Sequence, residues 1–381
     1  MIPVTSKLPQ SGTTIFTVMS ALAAEMGAIN LSQGFPDYDC APELTELVNK
    51  AMQDGYNQYA PMAGMMTLRE RIAAKTEKLH GAIYNPDTEI TITAGGTQGV
   101  FTAISAVVHP NDEVIVFEPA YDCYAPAIKL MGGVVKSMEL EPPDYRIKWD
   151  MVRRLVNNRT RMIILNSPQN PTATILQKED IDELSVIVKN QDILILSDEV
   201  YEHLIYDGQT HHSMAKYPDL QQRSFIVSSF GKLFHTTGWK LGYVLAPANL
   251  MQEFRRIHQF MVFCVNSPMQ VAIAEYLKNE ETYLSLAAFF QEKRDRFRAG
   301  MEQTRFGLLP CAGSYFQSVT YGDITDEKDT DLAIRLTKEF GVASIPTSGF
   351  YSRSTDHHVL RFCFAKKPET LDRAIERLLK V

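Results

Sequence analysis

The sequence predicts an α/β protein: a large domain with a mostly parallel seven-stranded sheet between helices, and a smaller α+β domain. Three observations point there. Seven short apolar runs recur between residues 89 and 246: EITITA, EVIVF, VVKSMEL, RMIIL, DILILS, SFIVSS and LGYVLA. They are too short for helices and too continuously apolar for strands with one face in water, so buried parallel strands fit best. Helix-patterned stretches such as TQGVFTAISAVV, DMVRRLVNN and KEDIDELSVIVKN lie between many of them, which is the alternation of a layered α/β sheet. After about residue 284 the pattern changes, and 381 residues are in any case too many for one ordinary core.

The elements follow in order. Residues 1–40 form an N-terminal arm and part of the small domain, joining it or reaching across to a partner chain. The opening MIPVTSKLPQSGTT has no apolar stretch that would serve as a signal peptide. The large domain spans 41–283 and opens with APELTELVNKAMQD, which places Leu44, Leu47, Val48 and Met52 at helical spacing. The small domain spans 284–381. There the charged helix QEKRDRFRAGMEQ is followed by strand-like SYFQSV, helix TDLAIRLTKEFG, strand VLRFCF and helix PETLDRAIERLLK.

Composition narrows the function classes. The hydrophobic fraction of 45% and charged fraction of 22% are those of a soluble globular protein. A net charge of −7, spread along the chain, offers no basic patch for nucleic acid. No apolar run approaches membrane-spanning length. Five cysteines, scattered and without a CxxC, fit a reducing cytoplasm better than a disulfide framework or a zinc site. The histidine pairs at 211–212 and 357–358 lack metal-ligand spacing and read as solvated loop residues, so no metal is expected.

In a parallel sheet, ligands gather beyond the carboxyl ends of the strands. After EITITA comes GGTQG, where Gly95, Gly96 and Thr97 let backbone N–H groups approach a phosphate; a plain tight turn is the alternative. After EVIVF comes EPAYDCY, whose Tyr121 could stack on a planar ligand or sit in a core. After RMIIL comes NSPQNPT, in which Asn170 offers an amide, or serves as turn chemistry. After DILILS comes DEVY. A carboxylate there, Asp198, needs a partner such as a protonated ring nitrogen, unless it caps a helix, and Tyr201 stands three residues on. After SFIVSS comes FGK, then GWKLGY. Lys232, on a glycine elbow, could form a Schiff base with a carbonyl cofactor, while Ser229 and Lys240 could hold its phosphate. Each is ordinary alone. Together they are the parts needed to bind pyridoxal 5'-phosphate.

The ordered set NSPQNPT, SDEVYEH, SSFGK, GWKLGY and LRFCF resembles the fold-type I pyridoxal-phosphate enzymes, class I/II aminotransferases. Within them the branch of methionine and kynurenine/glutamine aminotransferases is the most similar. The likeness runs from INLSQGFPDY at 29–38 to LRFCFAKK at 360–367. It implies that Lys232 carries the cofactor and later moves the substrate proton, and that Asp198 keeps the pyridine nitrogen protonated. Asn170 and Tyr201 would contact the phenolic oxygen and Tyr121 would stack on the ring. Gly96, Thr97, Ser229 and Lys240 would bind the phosphate. Tyr59 would reach a neighbouring subunit's phosphate, making the active unit a homodimer with shared sites. Arg361 would clamp the substrate α-carboxylate, assisted by Asn170 and Gly34; its alternative is a surface charge on a strand. Lys240 departs from the arginine found in many aminotransferases and binds phosphate as a point charge.

The implied activity is transfer of the α-amino group of methionine or an aromatic or large neutral amino acid to a 2-oxo acid, by a ping-pong aldimine–ketimine sequence. Ile15, Phe16, Phe35, Tyr59 and Phe263 are the expected pocket walls. A carbon–sulfur β-lyase acting on cystathionine or cysteine conjugates is the alternative on the same scaffold. A cofactor-binding regulator is disfavoured, because Lys232 is present and only about 28 residues precede INLSQGF.

Overall fold

The computed structural model describes residues 2, 4–9 and 12–381. Met1, Pro3, Gln10 and Ser11 of the expected arm lie outside the described residues. The seven apolar runs form seven strands: β1 (Ile90–Thr93), β2 (Glu113–Glu118), β3 (Val134–Glu139), β4 (Thr160–Asn166), β5 (Leu194–Asp198), β6 (Ser224–Ser229) and β7 (Gly242–Leu245). They join in one sheet of order β1-β7-β6-β5-β4-β2-β3.

Alternation along the strands explains why they read as unbroken apolar runs. Ile163, Leu165, Ile195 and Ile226 enter one core, whereas Met162, Ile164, Leu196 and Val227 enter another on the opposite face. Both faces are covered by helices, so neither phase of the period-2 pattern meets water.

Two strands depart from expectation. β7 runs antiparallel to both β1 and β6, so LGYVLA is not a parallel strand. The connection from β6, residues 230–241, holds only the short turns Phe230–Leu233 and Thr237–Trp239, with no crossover helix to carry the chain back to the other end of the sheet. β3 pairs with β2 alone and is the sheet edge; Val134 is 41% exposed, which accounts for the mixed composition of VVKSMEL.

The helix over Pro42–Gln53 buries Leu44 and Val48, but Met52 is exposed, because the buried stripe turns to Ala51 instead. Near the carboxyl end, β8 (Gly307–Leu308), β9 (Phe316–Thr320), β10 (Ile345–Pro346) and β11 (Val359–Cys363) form an antiparallel sheet of order β10-β11-β9-β8. The amino-terminal residues join these elements: Ile29 and Asn30 pair in parallel with Val342 and Ala343.

Among the described residues no helix is long and apolar enough to cross a membrane, and no cluster of His, Cys, Asp or Glu could hold a metal ion. The histidine pairs are not fully solvated: His211 is buried and His212, His357 and His358 are half-buried. His211 is buried against Glu199 Oε2 at 2.9 Å, and His212 Nδ1 lies 2.6 Å from Tyr217 Oη. His357 and His358 pack against Tyr351 and Tyr321.

Candidate active site

A cavity of about 290 Å³ opens beyond the carboxyl ends of the parallel strands. Lys232, Asp198, Tyr201, Gly96, Thr97, Tyr121, Asn170, Ser229, Lys240, Arg361 and Gly34 all line it. Residues far apart in the chain are thus gathered by strand order.

The lysine elbow is a matter of space. After β6 the chain makes one short turn, Phe230–Leu233, and folds back so closely that a Cβ on Gly231 would stand 3.0 Å from Thr237 Cα. The turn aims Lys232 into the cavity, where Nζ donates to Tyr315 Oη at 2.9 Å and to the Gly34 carbonyl at 3.1 Å. Burial lowers its pKa to about 8, and the positive charges of Arg361 and Lys240 act in the same direction.

Asp198, the last residue of β5, is buried, and desolvation raises its pKa to about 6 against the hydrogen bond from Tyr124. Tyr124 Oη donates to Asp198 Oδ2 at 2.6 Å. Asn166, ending β4, donates to the Asp198 carbonyl at 2.9 Å and accepts from Asn170 N–H at 2.9 Å. The two strand ends are therefore tied together under the cavity. Tyr201 is buried edge-on to Tyr315, their ring centroids 5.0 Å apart.

An anion cradle lies at one end. Gly95 has φ +80° and precedes the helix Gly96–Val107, whose first N–H groups have no intrahelical acceptor. A Cβ at Gly95 would stand 3.4 Å from Lys240 Nζ, and one on Gly96 would stand 3.8 Å from Ser229 Cβ. A helix start, a lysine and a serine thus converge on one point, the arrangement that suits a phosphate. Thr97 Oγ1 lies 3.1 Å from Tyr121 Oη, which fixes the aromatic ring beside the cradle.

Arg361 lines the same cavity and is no surface charge; it is fully buried on β11. Nη1 donates to Asn170 Oδ1 at 2.7 Å and Nη2 to the Ser32 carbonyl at 2.5 Å. The guanidinium lies 3.9 Å from the Phe316 ring centroid, and Nε is buried with no partner.

Some expected residues lie elsewhere. Tyr59 is 82% exposed and packs edge-on against Phe263 at 5.2 Å, outside the cavity. Phe35 and Ile15 do not line the cavity either; among the expected walls only Phe16 does. Asn166, Tyr124, Tyr315, Asp122 and Gln33 were not anticipated. Tyr124 opens the helix that follows Tyr121; Tyr315 meets Lys232 across 83 residues and left no local signal.

Beneath the site, Glu202 of the DEVYEH segment anchors a buried polar network. Its Oε1 accepts from Lys75 Nζ at 2.7 Å, Ser228 Oγ at 3.0 Å and Tyr243 Oη at 3.0 Å. Lys75 lies 3.0 Å from His203 Nε2; burial lowers the His203 pKa to about 4, which keeps that ring neutral.

The family described as aminotransferase class I and II matches residues 27–378. The methionine aminotransferase of Escherichia coli is 48% identical over 98% of this chain and 97% of its own. A crystal structure reporting a methionine aminotransferase function in E. coli superposes with a TM-score of 0.98 at 48% identity, covering 100% of both chains. A kynurenine–oxoglutarate transaminase of Dictyostelium discoideum is 30% identical over 97% of this chain and 94% of its own.

Proposed function

This chain belongs to the class I and II aminotransferases, a family that uses pyridoxal 5'-phosphate, and we propose that it moves the α-amino group of methionine or of aromatic and other large neutral amino acids to a 2-oxo acid. The observation that carries the reading is the position of Lys232 Nζ. It is an amine with a lowered pKa, in one cavity with a buried carboxylate, an anion cradle and a buried guanidinium.

The residues present fit the cofactor. Gly95 and Gly96 leave a cradle that side chains would fill, and Lys240 and Ser229 face it. Asp198 would hold a proton on the ring nitrogen, and Tyr124 would fix the orientation of its carboxylate. When bound, the cofactor supplies a conjugated cationic ring that accepts the electron pair left as the substrate Cα–H bond breaks. Lys232, neutral for a useful fraction of the time near pH 8, would take and hold the substrate Cα proton on Nζ. Arg361 would grip the α-carboxylate, with Asn170 already on Nη1 to hold its plane. Tyr201 and Asn170 would donate to the phenolic oxygen.

We read residues 41–283 as the cofactor-binding domain, and 284–381 with the arm 1–40 as the small domain. The cysteines, none of them in a disulfide, support a cytoplasmic setting. Exposed Tyr59, Phe260 and Phe263 support a homodimer in which Tyr59 reaches the neighbouring site.

The test is the visible absorption spectrum of the purified protein before and after L-methionine, with no 2-oxo acid present. A visible cofactor band that is lost on adding methionine and replaced by one at shorter wavelength supports the reading. A band that ignores methionine removes methionine as donor. No band after incubation with pyridoxal phosphate overturns the assignment of Lys232.

A further inference from the structure

One carboxylate in the cavity has no task in that scheme. Asp122 follows the stacking residue Tyr121 and lines the same cavity as Arg361, Phe16 and Gln33. Among the described residues no other residue gives its side chain a hydrogen bond or salt bridge; its own backbone N–H helps to hold its charge. Its pKa is raised by desolvation, in spite of the attraction of Arg361.

The cations of the cavity are few and committed. Lys232 is held by Tyr315 and Gly34. Lys240 stands at the anion cradle beside Gly95. Arg361 is clamped by Asn170 and Ser32 and stacked on Phe316. Once a substrate's α-carboxylate takes Arg361, this chain offers no further cation for a second carboxylate. The remaining walls are Phe16, Phe316 and the neutral amide of Gln33, and the one free charge nearby is negative.

We propose that Asp122 is a specificity-determining residue that excludes dicarboxylic substrates, so that both the amino donor and the 2-oxo-acid acceptor carry uncharged side chains. This rests on the aminotransferase reading above and adds to it the acceptor class and the residue that sets it. The physical basis is like-charge repulsion: Asp122 is exposed in this chain, so water screens it in part, but a second substrate carboxylate beside it would still meet a negative charge and no counter-ion.

The experiment uses the holoenzyme with methionine as donor. It compares kcat/KM for 2-oxoglutarate with that for 2-oxo-4-methylthiobutanoate, in the wild type and in Asp122→Asn and Asp122→Glu. In parallel, binding of the unreactive anions succinate and butyrate is titrated by the perturbation of the visible band. The wild type should favour the neutral oxo acid and bind butyrate over succinate. Asp122→Asn should shift both ratios toward the dicarboxylate by about tenfold, a shift of the size expected for one partly screened charge. Asp122→Glu, which keeps the charge, should leave them low. Equal use of both oxo acids by the wild type, or ratios unmoved in Asp122→Asn, would overturn the proposal. If no oxo acid turns over at all, the aminotransferase reading of the substrate falls, and the succinate-to-butyrate ratio still decides the role of Asp122.

Discussion

The phenol of Tyr124 donates to Asp198 Oδ2 at 2.6 Å, so a carboxylate at the end of β5 is held by the first residue of the helix Tyr124–Leu130. Burial alone would push the Asp198 proton affinity higher than the value of about 6 that it reaches; the Tyr124 hydrogen bond opposes that push. In the cofactor-free protein a raised carboxyl pKa favours the fold while Asp198 is protonated, and that contribution is lost as pH rises through about 4 to 6. Tyr124→Phe removes the donor and should raise the Asp198 pKa further. Cofactor affinity of the apoprotein at neutral pH should fall by about 10–30-fold, the size of a hydrogen bond to a charged group. Its acid midpoint should move to higher pH. A fluorescence titration of apoprotein with pyridoxal phosphate from pH 5 to 8 checks both, and an unmoved midpoint would remove Tyr124 from this role.

Lys232 predicts a base-side effect. Its pKa of about 8 lies below that of a free lysine, so between about 8 and 10.4 the unfolded chain carries a proton that the fold does not. Cofactor-free protein should therefore gain stability as pH rises through that window. Lys232→Met, which removes the buried cation, should be more stable than the cofactor-free wild type at pH 7, by on the order of 1–3 kcal/mol. Urea unfolding at pH 7 and pH 10 measures both, and the difference between the two proteins should shrink at pH 10. The same titration sets the rate at which the apoprotein captures the cofactor, with a midpoint near 8.

Much of this architecture was legible because period and position coincide. The inner strands of the seven-stranded sheet stood out because each enters two cores at once, as Met162 and Ile163 do on opposite faces. Asp198, Asn170, Ser229 and Lys232 were readable because strand ends are where a parallel sheet gathers ligands. The sense of β7 was not readable, since an apolar run carries no direction. Tyr315 was hidden because its contact with Lys232 is made by tertiary packing alone. His211 was misread because two histidines in a polar loop look solvated, whereas Glu199 draws one of them inside.

The buried Lys75–Glu202 pair tests what holds the DEVYEH turn in place. Lys75 comes from the helix Met66–His80 and Glu202 lies directly after Tyr201, so the ion pair ties that helix to the floor of the site. Lys75→Met leaves the buried Glu202 carboxylate with only His80 and His203 beside it and should cost up to about 3–5 kcal/mol in urea unfolding. The double variant Lys75→Met with Glu202→Gln should recover a large part of that loss, because the uncompensated charge is gone. Additive losses in the double-mutant cycle would show that the two groups do not act as a pair.

The last prediction concerns Phe263, which has φ +68° and is 48% exposed. The left-handed region costs a non-glycine residue about 1–2 kcal/mol, and an exposed aromatic ring gains little in an isolated chain. Phe263 packs on Tyr59, itself 82% exposed, and Phe260 beside them is 88% exposed. A second subunit covering this patch would give the strained, water-facing ring a reason to stand where it does. Phe263→Gly should relax the backbone, so the monomer should lose no stability, while self-association weakens by about tenfold or more. Because Tyr59 is proposed to reach the neighbouring phosphate, cofactor affinity should fall in step with dimerisation. Sedimentation equilibrium and cofactor titration on the same samples separate the outcomes. A variant that remains dimeric would show that Phe263 does not hold the interface, and one that dissociates while holding the cofactor as tightly as before would show that Tyr59 does not reach the neighbouring site.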